Sequence, residues 1–273
     1  MAAVHPALSP YVRSLVAYDV RHERPGVHIG MPSAELTWVL PLDEPLTVSW
    51  AGDPRSRTTA WTSVSGLHTA PAAVEHDLRQ CGIQLALAPA GARALWGVPA
   101  SALAGHLLEL SDVDPGLADL PAQLAEQSSW PARFEVLQRA LLGALRRHEQ
   151  AGPRPEVARA MAMLTRGTSV AETADEVGYS RRRLTSLVRD EVGVAPKTYQ
   201  RLARFAGARD RMQRAVLAGD VSVAAVAAAS GYADQAHLAR EWGELAGCSP
   251  TEWVRREFPI VQATGVGSAA EWR

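Results

Sequence analysis

The chain has 273 residues, with 47% apolar and 21% charged residues and a formal net charge of −1. This is a globular composition with room for two domains, and it excludes a disordered or low-complexity chain. No apolar run reaches the roughly 20 residues that a membrane-spanning helix needs, because Pro89 and Arg93 interrupt the best N-terminal one.

Met1 to Ser14 lacks the basic-then-apolar pattern of a secretion signal, so a cytoplasmic location is expected. Residues 1–115 read mainly as short strands. Val12–Val20, Leu36–Leu42, Leu46–Trp50, Trp61–His68 and Cys81–Ala88 are apolar or alternating runs separated by Pro, Gly and Asp. Ala90–Gly97 and Pro99–His106 predict short helices. Longer helical patterns follow at Gly116–Gln127 and Trp130–Gln150, the second with Phe134, Leu137, Leu141, Leu142 and Leu145 at helical spacing. The break at Ala151-Gly152-Pro153 marks a domain boundary. The expected division is a β-rich domain over 1–115, a helical segment over 116–152, an all-α domain over 153–258 and a flexible tail over 259–273.

The N-terminal half carries no recognisable reaction centre. His22, His28, His68, His76 and His106 are scattered without the spacing of a zinc site, and satisfied or solvated histidines are the expectation. Cys81 and Cys248 lie too far apart in sequence to suggest a disulfide framework or a cysteine-rich metal site; Cys81 reads as a small buried residue. Trp38, Trp50, Trp61 and Trp96 fill a core or line a ligand cavity, with core the stronger reading. No metal or cofactor is expected.

The charge is unevenly distributed. Residues 1–152 hold 11 arginines against 15 acidic residues, whereas 153–258 hold 16 basic against 13 acidic. Ten basic residues fall within 181–214, opposed there only by Asp190, Glu191 and Asp210. Such a run suits a polyanion, although a solvated arginine-rich helix would read the same way.

An internal repeat separates these readings. Ser169-Val-Ala-Glu-Thr-Ala-Asp-Glu-Val-Gly-Tyr179 aligns without gaps on Ser222-Val-Ala-Ala-Val-Ala-Ala-Ala-Ser-Gly-Tyr232. After one inserted residue, Leu184 matches Leu238, Val188 matches Trp242, Gly193 matches Gly247, Pro196 matches Pro250 and Tyr199 matches Trp253. Each copy reads as helix, tight turn, helix. Ser169 with Glu172 is a capping box, Val170, Ala174 and Val177 share one face, and Gly178 permits the left-handed turn. Ser180 caps the next helix, whose inner stripe is Leu184, Leu187 and Val188. Trp242 and Trp253 stand at core positions. A long helix over Pro196–Ala218 joins the copies.

These residues resemble the AraC/XylS family of transcription regulators. The resemblance rests on A-x-x-x-G-Y in both copies (Ala174 to Tyr179, Ala227 to Tyr232), Asp234-Gln235, and the G-x-x-P elements Gly193–Pro196 and Gly247–Pro250. It covers about 153–258. It implies an α+β chain: a β-rich, cupin-like sensing or dimerisation domain with a helical segment, then an all-α domain with two helix-turn-helix motifs. It also implies that the recognition helices enter successive major grooves, roughly 34 Å apart.

With Leu184, Leu187 and Val188 turned inward, Arg182, Thr185 and Ser186 face outward as candidate base readers, and Arg181 and Arg189 as phosphate contacts. Many relatives carry a longer basic residue where this chain has Ser186. In the second unit Gln235 suits adenine and Arg240 suits guanine or a phosphate, while Ala236 and Ala239 could touch only a thymine methyl. Lys197 and Arg201 add candidate backbone contacts. Asp234, Glu241 and Glu244 dilute the positive field, so unit one is expected to dominate affinity. His237 reads as solvated or phosphate-facing. The expected partners are double-stranded DNA, RNA polymerase, a small-molecule effector and a second copy of the chain, with no membrane. Two rival classes stay open at this stage: an enzyme with an appended DNA-binding module, which would need an activated cysteine, and a protein-interaction module that does not bind DNA.

Overall fold

A computed structural model describes residues 3–149 and 152–258. The proposed tail over 259–273, with Gln150 and Ala151 at the domain boundary, lies outside the described residues.

The N-terminal half begins with β1 (Val12–Arg21), β2 (Gly26–Gly30), β3 (Leu36–Pro41), β4 (Leu46–Trp50), β5 (Asp53–Ala60), β6 (Ser63–Ser65), β7 (Ala72–His76) and β8 (Arg79–Leu87). After α1 (Ala90–Trp96) and a 3-10 turn at Ala100–Ala102 come β9 (Leu107–Glu109) and α2 (Leu110–Val113). Next are α3 (Leu120–Ala125) and α4 (Trp130–Arg147). Two antiparallel sheets form, in the orders β1-β8-β3-β6-β9 and β2-β7-β4-β5. Strand alternation decides how they pack. Leu36, Trp38 and Leu40 of β3 are completely buried on one face of the larger sheet, with Ile83, Leu85 and Leu87 of β8. That face meets Leu95 and Trp96 of α1 and Leu137 and Leu141 of α4, and the rings of Trp38 and Trp96 meet edge to face at 5.7 Å. The opposite face, at Val39 and Leu107, receives Leu46, Val48 and Ala72 of the smaller sheet.

Several expectations change. Of Trp61–His68 only Ser63–Ser65 pairs as a strand, and Trp61 is 49% exposed, neither core nor cavity wall. Pro99–His106 makes one 3-10 turn instead of a helix, since Leu103 and Ala100 are drawn into the core and Gly105 turns the chain at φ 73°. Gly116–Gln127 breaks into a 3-10 turn at Pro115–Leu117 and the short α3. Gly66 follows β6 where the chain crosses the Leu103 carbonyl; a Cβ there would overlap that carbonyl's carbon and oxygen.

The C-terminal half is all helix: α5 (Pro155–Thr165), α6 (Val170–Glu176), α7 (Arg181–Val192), α8 (Pro196–Leu217), α9 (Val223–Ala229), α10 (Gln235–Ala246) and α11 (Pro250–Glu257). The capping box at Ser169 and Glu172 is formed. Gly178, Gly193, Gly231 and Gly247 all take the left-handed conformation that ends each helix, with φ between 69° and 80°. Phe205 of α8 meets Trp242 of α10 at 5.0 Å, and Trp242 meets Trp253 of α11 at 5.3 Å, so both tryptophans are core. Among the described residues no helix is long and apolar enough to cross a membrane.

Candidate nucleic-acid interface

The first recognition helix is α7. Ser180 Oγ accepts from the Arg183 amide at 3.2 Å and starts it; Leu184, Leu187, Val188 and Val192 bury its inner stripe. The outer face is left to Arg181, Arg182, Ser186 and Arg189, all exposed, with Thr185 half-buried beside them. Arg181, Arg182, Thr185, Ser186, Arg189 and Asp190 line a surface depression of about 410 Å³. The Thr185 hydroxyl donates to the Arg181 carbonyl at 2.8 Å, so outward it offers only an acceptor, suited to the amino group of adenine or cytosine.

The second recognition helix is α10. Asp234 caps it, accepting from the His237 amide at 2.6 Å. Gln235 and Arg240 are exposed, as are Ala236 and, partly, Ala239. His237 is half-buried, its Nδ1 accepting from the Ala233 amide and its ring edge-on to Tyr232 at 5.1 Å. It belongs to the turn and does not stand free in solvent.

The arginines divide into two sets. Arg181, Arg182, Arg189, Lys197 and Arg240 make no salt bridge among the described residues. Arg201 binds Glu241 at 3.0 Å and also reaches Glu244, and Arg204 binds Glu241 at 2.6 Å. Arg209 pairs with Asp210, and Arg211 and Arg214 donate to carbonyls of their own helix. Arg201, expected as a phosphate contact, is held against unit two by two carboxylates and stays partly exposed. Much of the basic run over 201–214 is likewise engaged, leaving the uncommitted positive charge concentrated on α7.

Glu241 is 6% exposed and dilutes the positive field from inside, by neutralising Arg201 and Arg204. It accepts from Arg201, Arg204 and the Tyr232 hydroxyl (2.8 Å), and Arg204 also stacks on the Tyr232 ring at 4.7 Å. Burial pushes the Glu241 carboxyl up, but the hydrogen bonds from Arg204 and Tyr232 outweigh it and hold it below the usual carboxylate range. Burial and the bond to Glu241 raise the Tyr232 hydroxyl, which stays a donor.

Unit one has a counterpart at a different position. Glu191, 7% exposed near the end of α7, receives Arg93 Nε at 3.0 and 2.9 Å from the N-terminal domain. Sequence reasoning missed both anchors, yet the repeat carries their signal. Glu241 stands where unit one has Leu187, and Glu191 where unit two has Leu245. An acid in a core register needs a buried partner.

Burial raises the thiol pKa of Cys81 and Cys248, the opposite of an activated nucleophile. Among the described residues no group of three or more His, Cys, Asp and Glu could hold a metal.

Residues 173–256 match a family model described as a helix-turn-helix domain. No curated protein matches the chain. Among solved structures, ToxT from Vibrio cholerae strain SCE256 with an unsaturated fatty acid bound is similar at TM-score 0.51 and 11% identity, over 95% of this chain and 99% of that one. ToxT from Vibrio cholerae O395 bound to (E)-4-(8-methylnaphthalen-1-yl)but-3-enoic acid is similar at TM-score 0.52 and 10% identity, over 88% and 97%. The DNA-binding domain of AdpA, a global transcriptional factor solved with a target DNA, is 27% identical over 38% of this chain and 94% of that one, at TM-score 0.32. The ToxT likeness is one of fold: an antiparallel β domain followed by a helical one. Two registered helix-turn-helix units on a shared helix define a DNA-binding transcription regulator.

Proposed function

We propose that the chain reads DNA chiefly through α7, with Arg182, Thr185 and Ser186 on base edges and Arg181, Arg189 and Lys197 on phosphates. Gln235 and Arg240 of α10 read the neighbouring groove. The observation that carries this is the open arginine, threonine and serine face of α7, whose cations have no protein partner among the described residues. An Arg at 182 suits bidentate pairing with guanine, whereas Arg189 lies a further two turns along and suits the backbone.

The protein acts by binding and not by catalysis, as a cytoplasmic regulator. A small-molecule effector acts on the N-terminal domain, a reading supported by the fold shared with a ToxT that holds a fatty acid. A second copy and RNA polymerase complete the partners.

Full-length protein assayed on duplexes selected from a random library tests this. Arg182→Ala should lower preference for the selected duplex by about 1–3 kcal/mol. Arg189→Ala should weaken selected and random DNA alike and flatten the salt dependence by about one unit of slope. Equal loss on both duplexes for Arg182→Ala would remove it from base reading, and salt-independent binding without preference would overturn the whole assignment.

A further inference from the structure

The two recognition helices are anchored by different bodies. Glu241 of α10 is taken by Arg201 and Arg204, both from α8 inside the DNA-binding domain. Glu191 of α7 is taken by Arg93, from the last turn of α1 in the N-terminal domain. Beside that pair, Ser101 Oγ donates to the Asp190 carbonyl at 2.6 Å, and a Cβ at Gly193 would overlap the Ala104 side chain. The most extensive backbone packing between the domains is the 3-10 turn at Ala100–Ala102 against α7. Contacts with unit two are slighter. His28 Nδ1 lies 3.4 Å from Glu257 of α11, which is not a recognition helix, and a Cβ at Gly247 would meet the Pro71 ring only at ordinary contact range.

We propose that α1 and the Ala100–Ala102 turn form a docking surface for the first recognition helix alone, so that the N-terminal domain acts on DNA by setting the pose of α7. The proposal rests on the assignment of α7 to DNA. Its physical basis is that a helix held at its last turn by a buried ion pair, a backbone hydrogen bond and a glycine-width approach has its roll about its own axis fixed. That roll decides whether Arg182, Ser186 and Arg189 reach the groove together. Asp190, whose carbonyl is held by Ser101, lines the same depression as the readers, so the docking surface abuts the reading face. Arg93 also neutralises a carboxylate on the helix that must approach phosphates. A docked α7 is thus the binding-competent one, with its ordering cost met before DNA arrives. Unit two keeps its pose through α8 whatever α1 does.

The test is hydroxyl-radical footprinting of full-length protein on a duplex selected from a random library. Arg182→Ala and Arg240→Ala identify the half-sites of units one and two. Arg93→Gln should then weaken protection of the unit-one half at least about fivefold, the low end of ordinary coupling between sites, and leave the unit-two half in place. Should Arg93→Gln fail to fold by circular dichroism, Ser101→Ala removes a single hydrogen bond and should show the same half-selective loss. Equal loss from both halves, no loss from either, or tighter binding of the unit-one half would each overturn the docking proposal. Failure of wild-type protein to select any duplex would instead overturn the DNA-reading assignment, so the two can be told apart.

Discussion

Glu241 illustrates how one side chain organises a recognition helix. Two guanidinium groups and a phenol converge on it; without the carboxylate Arg204 and Tyr232 would lose their acceptor and Arg201 would keep only Glu244. Breaking a buried pair from one side costs about 3–5 kcal/mol, so Glu241→Ala should lower the denaturation midpoint sharply. Glu241→Gln, which keeps the shape and one acceptor oxygen, should cost less; equal costs for the two would argue against the charge. Because the native carboxyl is held below its usual range, its contribution is present above the unfolded-state pKa and is lost as pH falls through the lowered native value. Wild-type and Glu241→Gln stabilities should therefore converge on acidification. At this scale the sequence was partly legible. The outward residues of α7 follow from its apolar stripe, whereas Arg201 reads as a free cation until its partners, 40 and 43 positions away, are known. Charge runs say how many cations exist and not which are spent internally.

At the scale of elements, the C-terminal helices were legible because each boundary has a local cause: Ser169, Ser180, Ser222 and Ser249 cap, and left-handed glycines stop. The missed strands lack such a cause. β5 reads Asp-Pro-Arg-Ser-Arg-Thr-Thr-Ala and is largely exposed at a sheet edge, and β2 is an exposed edge strand bounded by two glycines. β5 has no apolar face for periodicity to reveal, and the Val27 and Ile29 face of β2 is too short to register. β7 and β9 are short and acquire their pairing from distant partners. Among the stop glycines, Gly193 differs in how tightly it meets the N-terminal domain. Gly178→Ala carries only the strain of a positive φ, about 1–3 kcal/mol, because nothing stands within 4 Å of its missing Cβ. Gly193→Ala carries the same strain and also wedges against Ala104. It should lower the melting temperature further than Gly178→Ala does. An equal drop would mean that the domains part there without cost.

At the scale of the whole molecule, acid should loosen the N-terminal domain first. His22 sits below the usual 6.5 through burial and the neighbouring His76, with which its ring stacks at 3.8 Å. Burial likewise lowers His68, whose Nδ1–H donates to the Ala70 carbonyl. Groups whose native pKa is depressed stabilise the fold above the unfolded value, and that contribution is lost as pH falls through the native one. Melting of the N-terminal domain should therefore begin to decline below about pH 6.5, and His68→Gln should flatten the decline; an unchanged slope would discount the histidine. The division into an antiparallel β half and a helical half was legible from strand-length runs and the repeat, whereas the docking of one half on the other was not. It depends on Arg93, Ser101 and Ala104, ordinary residues whose meeting with α7 only the fold discloses.

Gly66 lends that docking a hidden dependence. No side chain fits at this position without displacing the Leu103 carbonyl, and Leu103 sits between Ser101 and Ala104, the two residues that touch α7 beside the Arg93 pair. A genetic screen for altered promoter response should thus recover substitutions at Gly66, a residue outside the DNA-reading face. Their phenotype would resemble a defect in that face, although every base-reading side chain would be intact.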